Sequence, residues 1–171
     1  MNKTYSGIGS RETPEKILNF MTPLSRNLDS LGYTLNSGGA VGADTAFSLG
    51  SNNKNIFIPW VGYNGIYEQN KLPQEAFTIA EKFHPALGSL TQGAKTLMAR
   101  NVQIILGQNL DQPVDFVICW TQDGCIDEET RSKKTGGTGQ AISIAAHHTI
   151  PVYNLQRMDH IHKVKAIAQC C

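Results

Sequence analysis

Seven consecutive residues, Val114-Asp115-Phe116-Val117-Ile118-Cys119-Trp120, form a near-continuous apolar run with no alternation of polar side chains. A strand of that kind is buried on both faces, which happens in parallel sheets covered by helices on either side. Parallel neighbours need crossover connections, so the rest of the chain should supply strands and helices in turn.

It does. Residues 4–9 read as a strand ending in Gly7-Ile8-Gly9; Thr13 is the expected N-cap of a helix that begins at Pro14 and carries Ile17, Leu18, Met21, Leu24, Leu28 and Leu31 at helical spacing, with Gly32 as its stop. Tyr33–Asn36 is a second strand, followed by a helix through Ala43, Ala46 and Phe47 to Gly50. Lys54–Ile58 is a third strand, closed by Pro59. Residues 60–72 break every pattern and read as a loop, long enough to be functional or mobile. Helices over 74–83 and 90–106, separated by His84-Pro85, precede the apolar strand, and Arg100-Asn101 interrupt the apolar content of the second. They either face a pocket or form an intrachain pair. After a polar loop from Thr121 to Lys134 come a helix over 138–147, a strand over 151–155 and a helix over 159–168. The expected class is α/β: one Rossmann-like domain over residues 1–171, a parallel sheet of about five strands with helices on both faces. Strand order 3-2-1-4-5 would put the switch point, where such sheets bind ligands, between the first strand and the apolar one.

Three turns rich in small residues follow strands or open helices. They are Gly9-Ser10-Arg11, Ser37-Gly38-Gly39-Ala40-Val41-Gly42-Ala43-Asp44, and Gly136-Gly137-Thr138-Gly139-Gln140. Glycine lets backbone N–H groups approach an anion, and a helix N-terminus offers unpaired N–H groups with a partial positive charge. Phosphate binding is therefore expected of Gly9, Ser10, Arg11, Ser37, Gly38, Gly39, Gly42, Gly136, Gly137, Thr138, Gly139 and Gln140, with Lys134 and its neighbour Lys133 to neutralise further charge. For Gly42, tight strand–helix packing explains the residue about as well. Asp44 either binds a ribose hydroxyl or simply favours a helix start. Trp60, Tyr63 and Tyr67 are candidates for stacking on a base, or else pack their loop onto the sheet.

The balance of 15 basic and 14 acidic residues gives a net charge of +1, hence no global field for coating nucleic acid or an anionic membrane. Weak or no nucleic-acid binding and no membrane partner are expected on that ground. The start lacks an apolar leader and no stretch of about 18 apolar residues occurs, which points to the cytoplasm. The four cysteines, Cys119, Cys125, Cys170 and Cys171, have no metal spacing and are expected to be reduced, unpaired thiols. His147-His148 and His160-x-His162 are expected on solvated helix faces, not as metal ligands. No metal site and no cofactor are expected.

At its glycine turns the chain resembles the superfamily that joins the DprA/Smf DNA-processing proteins with the LOG-type nucleotide phosphoribohydrolases, often called SLOG. Gly9-Ser10-Arg11 resembles the DprA turn after the first strand, and Ser37-Gly38-x-Ala40-x-Gly42-x-Asp44 its phosphate-binding signature. The similarity spans roughly residues 4–155 and is greatest to short single-domain DprA-like proteins of bacteriophages, whose location would be the host cytoplasm. The LOG-type motif Pro-Gly-Gly-x-Gly-Thr-x-x-Glu aligns on residues 135–143, where Thr135 replaces the proline, Gln140 the threonine and Ser143 the catalytic glutamate. No catalytic residue is expected from it. The leading expectation is a protein that binds a small phosphorylated nucleotide without chemistry, as a sensor or as a sponge for a host immune signal such as a cyclic ADP-ribose derivative. What the DprA resemblance implies instead is a recombination mediator holding single-stranded DNA, as a homo-oligomer because one subunit offers a short groove. A LOG-type hydrolase whose acid or base is Asp44 or Glu128 is the third.

Overall fold

The computed structural model describes residues 3–84 and 86–169. Five strands, β1 (Lys3–Gly7), β2 (Tyr33–Ser37), β3 (Lys54–Ile56), β4 (Phe116–Cys119) and β5 (Val152–Asn154), form one parallel sheet in the order β3-β2-β1-β4-β5. The helices are α1 (Glu15–Ser30), α2 (Ala43–Gly50), α3 (Gln74–Lys82), α4 (Gln92–Leu106), α5 (Thr138–His147) and α6 (Met158–Ile167). The α/β class, the Rossmann-like order and helices on both faces are those expected from the sequence. Strand ends differ by at most two residues: β1 stops at Gly7, β3 at Ile56, and β4 begins only at Phe116.

The apolar strand β4 divides two cores. Val117 and Cys119 point toward α3, α4 and α5, among Ile104, Ile105, Ile142 and Ile144; Phe116 and Ile118 point toward α1, α2 and α6, among Tyr5, Met21, Leu28 and Phe47. The period-2 alternation of a strand thus feeds both layers, which is why β4 had to be apolar throughout. Burial raises the Cys119 thiol well above its ordinary range, and Cys119 and Cys125 are free thiols, as expected. Cys170 and Cys171 lie outside the described residues, as does Pro85.

Two local expectations are corrected. Thr13 does not cap α1: Pro14 occupies the N-cap position, and the Thr13 hydroxyl donates backward to the Ser10 carbonyl at 2.7 Å. His160 is not solvated. It lies buried on α6 with Nδ1 accepting the Asn154 amide at 2.9 Å, and burial lowers its pKa.

Helices α1 and α2 are in backbone contact. Thr22 and Ser25 donate their hydroxyls to the carbonyls of Ala46 and Phe47, at 2.9 and 2.7 Å, and a Cβ on Gly50 would collide with the Thr22 carbonyl and lie 2.7 Å from the Ser25 Cβ. Helix propensity favours alanine over glycine by about 1 kcal/mol, yet overpacking a backbone contact costs about 1–3 kcal/mol. Gly50→Ala is accordingly expected to lower the unfolding midpoint in urea with no change in slope; a raised midpoint would show that α1 and α2 can separate freely.

Candidate functional site

The C-terminal ends of β1 and β4 open onto a crevice of about 610 Å³. Its walls come from the turn after β1 (Gly9, Ser10, Arg11), from Ala40 and Asp44 at the start of α2, and from Lys133 to Thr138 leading into α5. Its floor is the face of α4 that carries Leu97, Met98, Asn101 and Ile104. All three glycine-rich turns therefore reach one recess, at the switch point of the sheet. They do so in different ways.

The α5 turn is the open one. Asp123 accepts the Ser132 hydroxyl at 2.6 Å and the Thr135 hydroxyl, and Ser132 and Thr135 close a reciprocal capping box around Lys133-Lys134. Although burial acts to raise the Asp123 carboxyl, the donors from Ser132, Thr135 and Thr121 outweigh it and bring its pKa down to about 2. An ionised carboxylate so braced holds the loop in place. Gly136 then takes a positive φ of 66°, Gly137 is the N-cap of α5, and the amides of Gly137 and Thr138 have no acceptor within the helix. Lys133, Lys134, Gly136 and Gly137 are solvent-exposed beside them. Gly139 and Gln140 are turned away: Gly139 packs under Arg131, and fully buried Gln140 accepts from Asn101 Nδ2 at 3.1 Å and donates to the Ala80 carbonyl at 3.2 Å. Gln140 anchors the helix instead of lining the recess.

The α2 turn is largely occupied. Ser37 is fully buried and donates its hydroxyl to the Gly7 carbonyl at 2.6 Å. The amides of Gly38 and Ala40 donate to Asp44 Oδ2 at 3.1 and 3.3 Å. Ser37, Gly38, Gly39 and Gly42 do not line the crevice; Ala40 and Asp44 do. Gly42, at φ 96°, lets the turn close onto the Ser10-Arg11 backbone, since a Cβ there would stand 2.9 Å from the Ser10 carbonyl. This is the packing role.

Behind that turn lies Arg100, one of the two polar residues that interrupt α4. It is 5% exposed, donates to the Gly38 and Phe57 carbonyls, the latter at 3.1 Å, and sits 5.5 Å from the centre of the Tyr63 ring. Both readings of Arg100-Asn101 apply at once, because both residues face the recess and both pair within the chain. Asp44 is as deeply buried. Desolvation raises its pKa to about 6, against the pull of Arg100 and of the amides of Ala40, Gly38 and Gly9.

A second recess, of about 400 Å³, adjoins the first and shares Arg11, Tyr63 and Leu97 with it; Val41, Trp60, Gly62 and Asn64 complete it. Trp60 is 46% exposed and meets Tyr63 edge to face at 5.4 Å. Tyr63 is buried and cannot offer a free ring face, whereas Tyr67 is exposed but lines neither recess. Leu97, Met98 and Gln122 line the site without having been expected to; the α4 period that carries Leu97, Asn101 and Ile104 was the available signal.

Ser143 stands outside the crevice, its hydroxyl donating to the Glu128 carboxylate and accepting from Arg131 Nη1 at 3.2 Å. Among the described residues no cluster of histidine, cysteine or carboxylate side chains could hold a metal ion, and no helix is long and apolar enough to cross a membrane.

No protein-family model and no curated protein match the chain. Its fold is similar to a solved structure of DNA processing protein A from Helicobacter pylori, described for its mode of single-stranded DNA binding. The two are 14% identical with a TM-score of 0.55, covering 99% of this chain and 74% of that one. The expectation of weak or no nucleic-acid binding is corrected by this neighbour, a protein of similar fold described for binding single-stranded DNA, and a small-nucleotide partner finds no support in it. Net charge is silent on local clusters. Opposite charges elsewhere cancel in the sum, while Arg11, Lys133 and Lys134 remain together around one recess.

Proposed function

We propose that this chain binds single-stranded DNA in the manner of a DprA-type domain, with a backbone phosphate at the N-terminus of α5 and an adjoining base against Trp60. The observation that carries the reading is the pair of adjoining recesses, one ringed by Arg11, Lys133 and Lys134 and by the first amides of α5, the other holding an exposed indole. Charged backbone beside free aromatic faces is the repeating chemistry of an unpaired strand, and a positively charged track with aromatic platforms is what binds it. The Helicobacter pylori neighbour favours the same substrate. In this reading residues 1–171 are one SLOG-type domain, and a homo-oligomer would lengthen the short track that one subunit offers.

Fluorescence anisotropy with a labelled oligothymidylate tests it. Trp60→Ala is expected to weaken binding by about 1–3 kcal/mol, the contribution of one stacked base, or roughly five- to 150-fold. The intrinsic fluorescence should be quenched on binding in the wild type, with Trp60 as the source, because Trp120 is buried and donates Nε1 to Gln156 at 3.0 Å. A protein that takes up a mononucleotide but no oligonucleotide would refute this reading.

A further inference from the structure

A carboxylate in the wall of a recess built for anions needs explaining. Asp44 is 5% exposed, and its Oδ2 receives the amides of Gly38 and Ala40, both from the glycine turn after β2. A Cβ on Gly38 would lie 2.8 Å from Oδ2, so only glycine lets the backbone come this close. Successive backbone amides that converge in this way form a nest, the arrangement that elsewhere receives phosphate.

We propose that Asp44 is a resident anion, filling with its own carboxylate the amide nest that Gly38 and Ala40 create. It is thereby a positioning residue: it ties the turn after β2 to the start of α2 and confines an incoming phosphate to the open amides of Gly137 and Thr138. The inference does not depend on what the phosphate belongs to. The charged and titratable groups around the carboxylate are Arg100 from α4, Tyr63 from the loop after β3, Arg11 and Glu12 from the turn after β1, and Lys133 and Lys134 across the recess. No histidine lines the recess. A proton taken up there near pH 6 goes to the Asp44 carboxylate.

Amide resonances of the whole protein, followed by NMR, give the test. In the wild type the signals of Gly38 and Ala40 are expected to shift together over roughly pH 5 to 7 with one midpoint near 6, and to stay flat in Asp44→Asn. Inorganic phosphate at neutral pH should move Gly137 and Thr138 in the wild type, and additionally Gly38 and Ala40 in Asp44→Gly, whose nest is vacant. Should the glycine variant not fold, the wild-type and Asp44→Asn titrations decide. A titration that survives in Asp44→Asn, or phosphate shifts at Gly38 and Ala40 of the wild type as large as those at Gly137 and Thr138, would each overturn the proposal. Phosphate shifts absent from Gly137 and Thr138 would overturn the confinement it describes. Failure to bind an oligonucleotide would leave these signals as expected, so the two readings fail separately.

Discussion

Replacing Arg11, Lys133 and Lys134 together with alanine is expected to reduce affinity for single-stranded DNA by at least a hundredfold while leaving the fold intact. All three side chains line the recess; Arg11 and both lysines are solvent-exposed, and none is held in an ion pair among the described residues. Each charged contact to a phosphate is worth about 1.5–3 kcal/mol, so loss of Arg11 alone should cost tenfold or more. The salt dependence is more diagnostic than the affinity. A single strand releases about 0.7 counterions for each phosphate neutralised, so the log–log slope should fall by about 2 in the triple variant. Anisotropy titrations over a series of salt concentrations read both quantities. An unaltered slope would mean that the strand lies elsewhere on the molecule.

The second large effect concerns stability. Arg100→Met removes the donor to the Gly38 and Phe57 carbonyls and the positive charge that offsets Asp44. Taking one partner from a buried charged arrangement costs about 3–5 kcal/mol, which in a chain of this size lowers Tm by about 6–20 °C. The sign of the pH dependence follows from Asp44. Its folded pKa is raised to about 6, above the unfolded value, so its ionisation weighs against the fold as pH rises from about 4 to about 6, and without Arg100 that penalty grows. The gap in Tm between variant and wild type should therefore narrow as the medium is acidified below pH 6. Arg100→Lys keeps charge but loses the planar fork, and should fall between the two. Thermal unfolding followed by circular dichroism, at neutral and mildly acid pH, checks the series; a gap that widens on acidification would separate Arg100 from Asp44.

Most of the architecture was legible because it rests on periodicity. The apolar run at β4, the alternation of strands with helical patterns and the glycine turns after β1 and β2 and before α5 together led to the strand order and to the recess where the turns meet. What the pattern could not carry was direction. Gln140 belongs to a glycine-rich helix start and looks like a ligand, but its position on α5 turns it inward to Asn101 and Ala80. Ser37 and Gly38 have the composition of a phosphate cradle, yet Asp44, six residues after Gly38, reaches back to that turn, a contact that spacing alone does not reveal. Trp60 and Tyr63 are equally aromatic in sequence, and only the packing of Tyr63 beside Arg100 distinguishes them. Total charge is silent for a related reason, since a sum over residues contains no positions.

The rims of the sheet constrain how copies of the molecule can meet. Its outermost strands, β3 and β5, span three residues each, with exposed Lys54 opening the first and Pro59 soon after it, and with Pro151 immediately before the second. Brief edges flanked by lysine and proline resist pairing with a foreign strand, since proline lacks the donor and a lysine must stay hydrated. Sheet continuation from molecule to molecule is thus disfavoured at both borders, which protects the sheet from growing into a fibre. Any self-association that lengthened a DNA track would have to use helical flanks or loops, and could be lost or gained by surface substitutions there with the sheet left untouched.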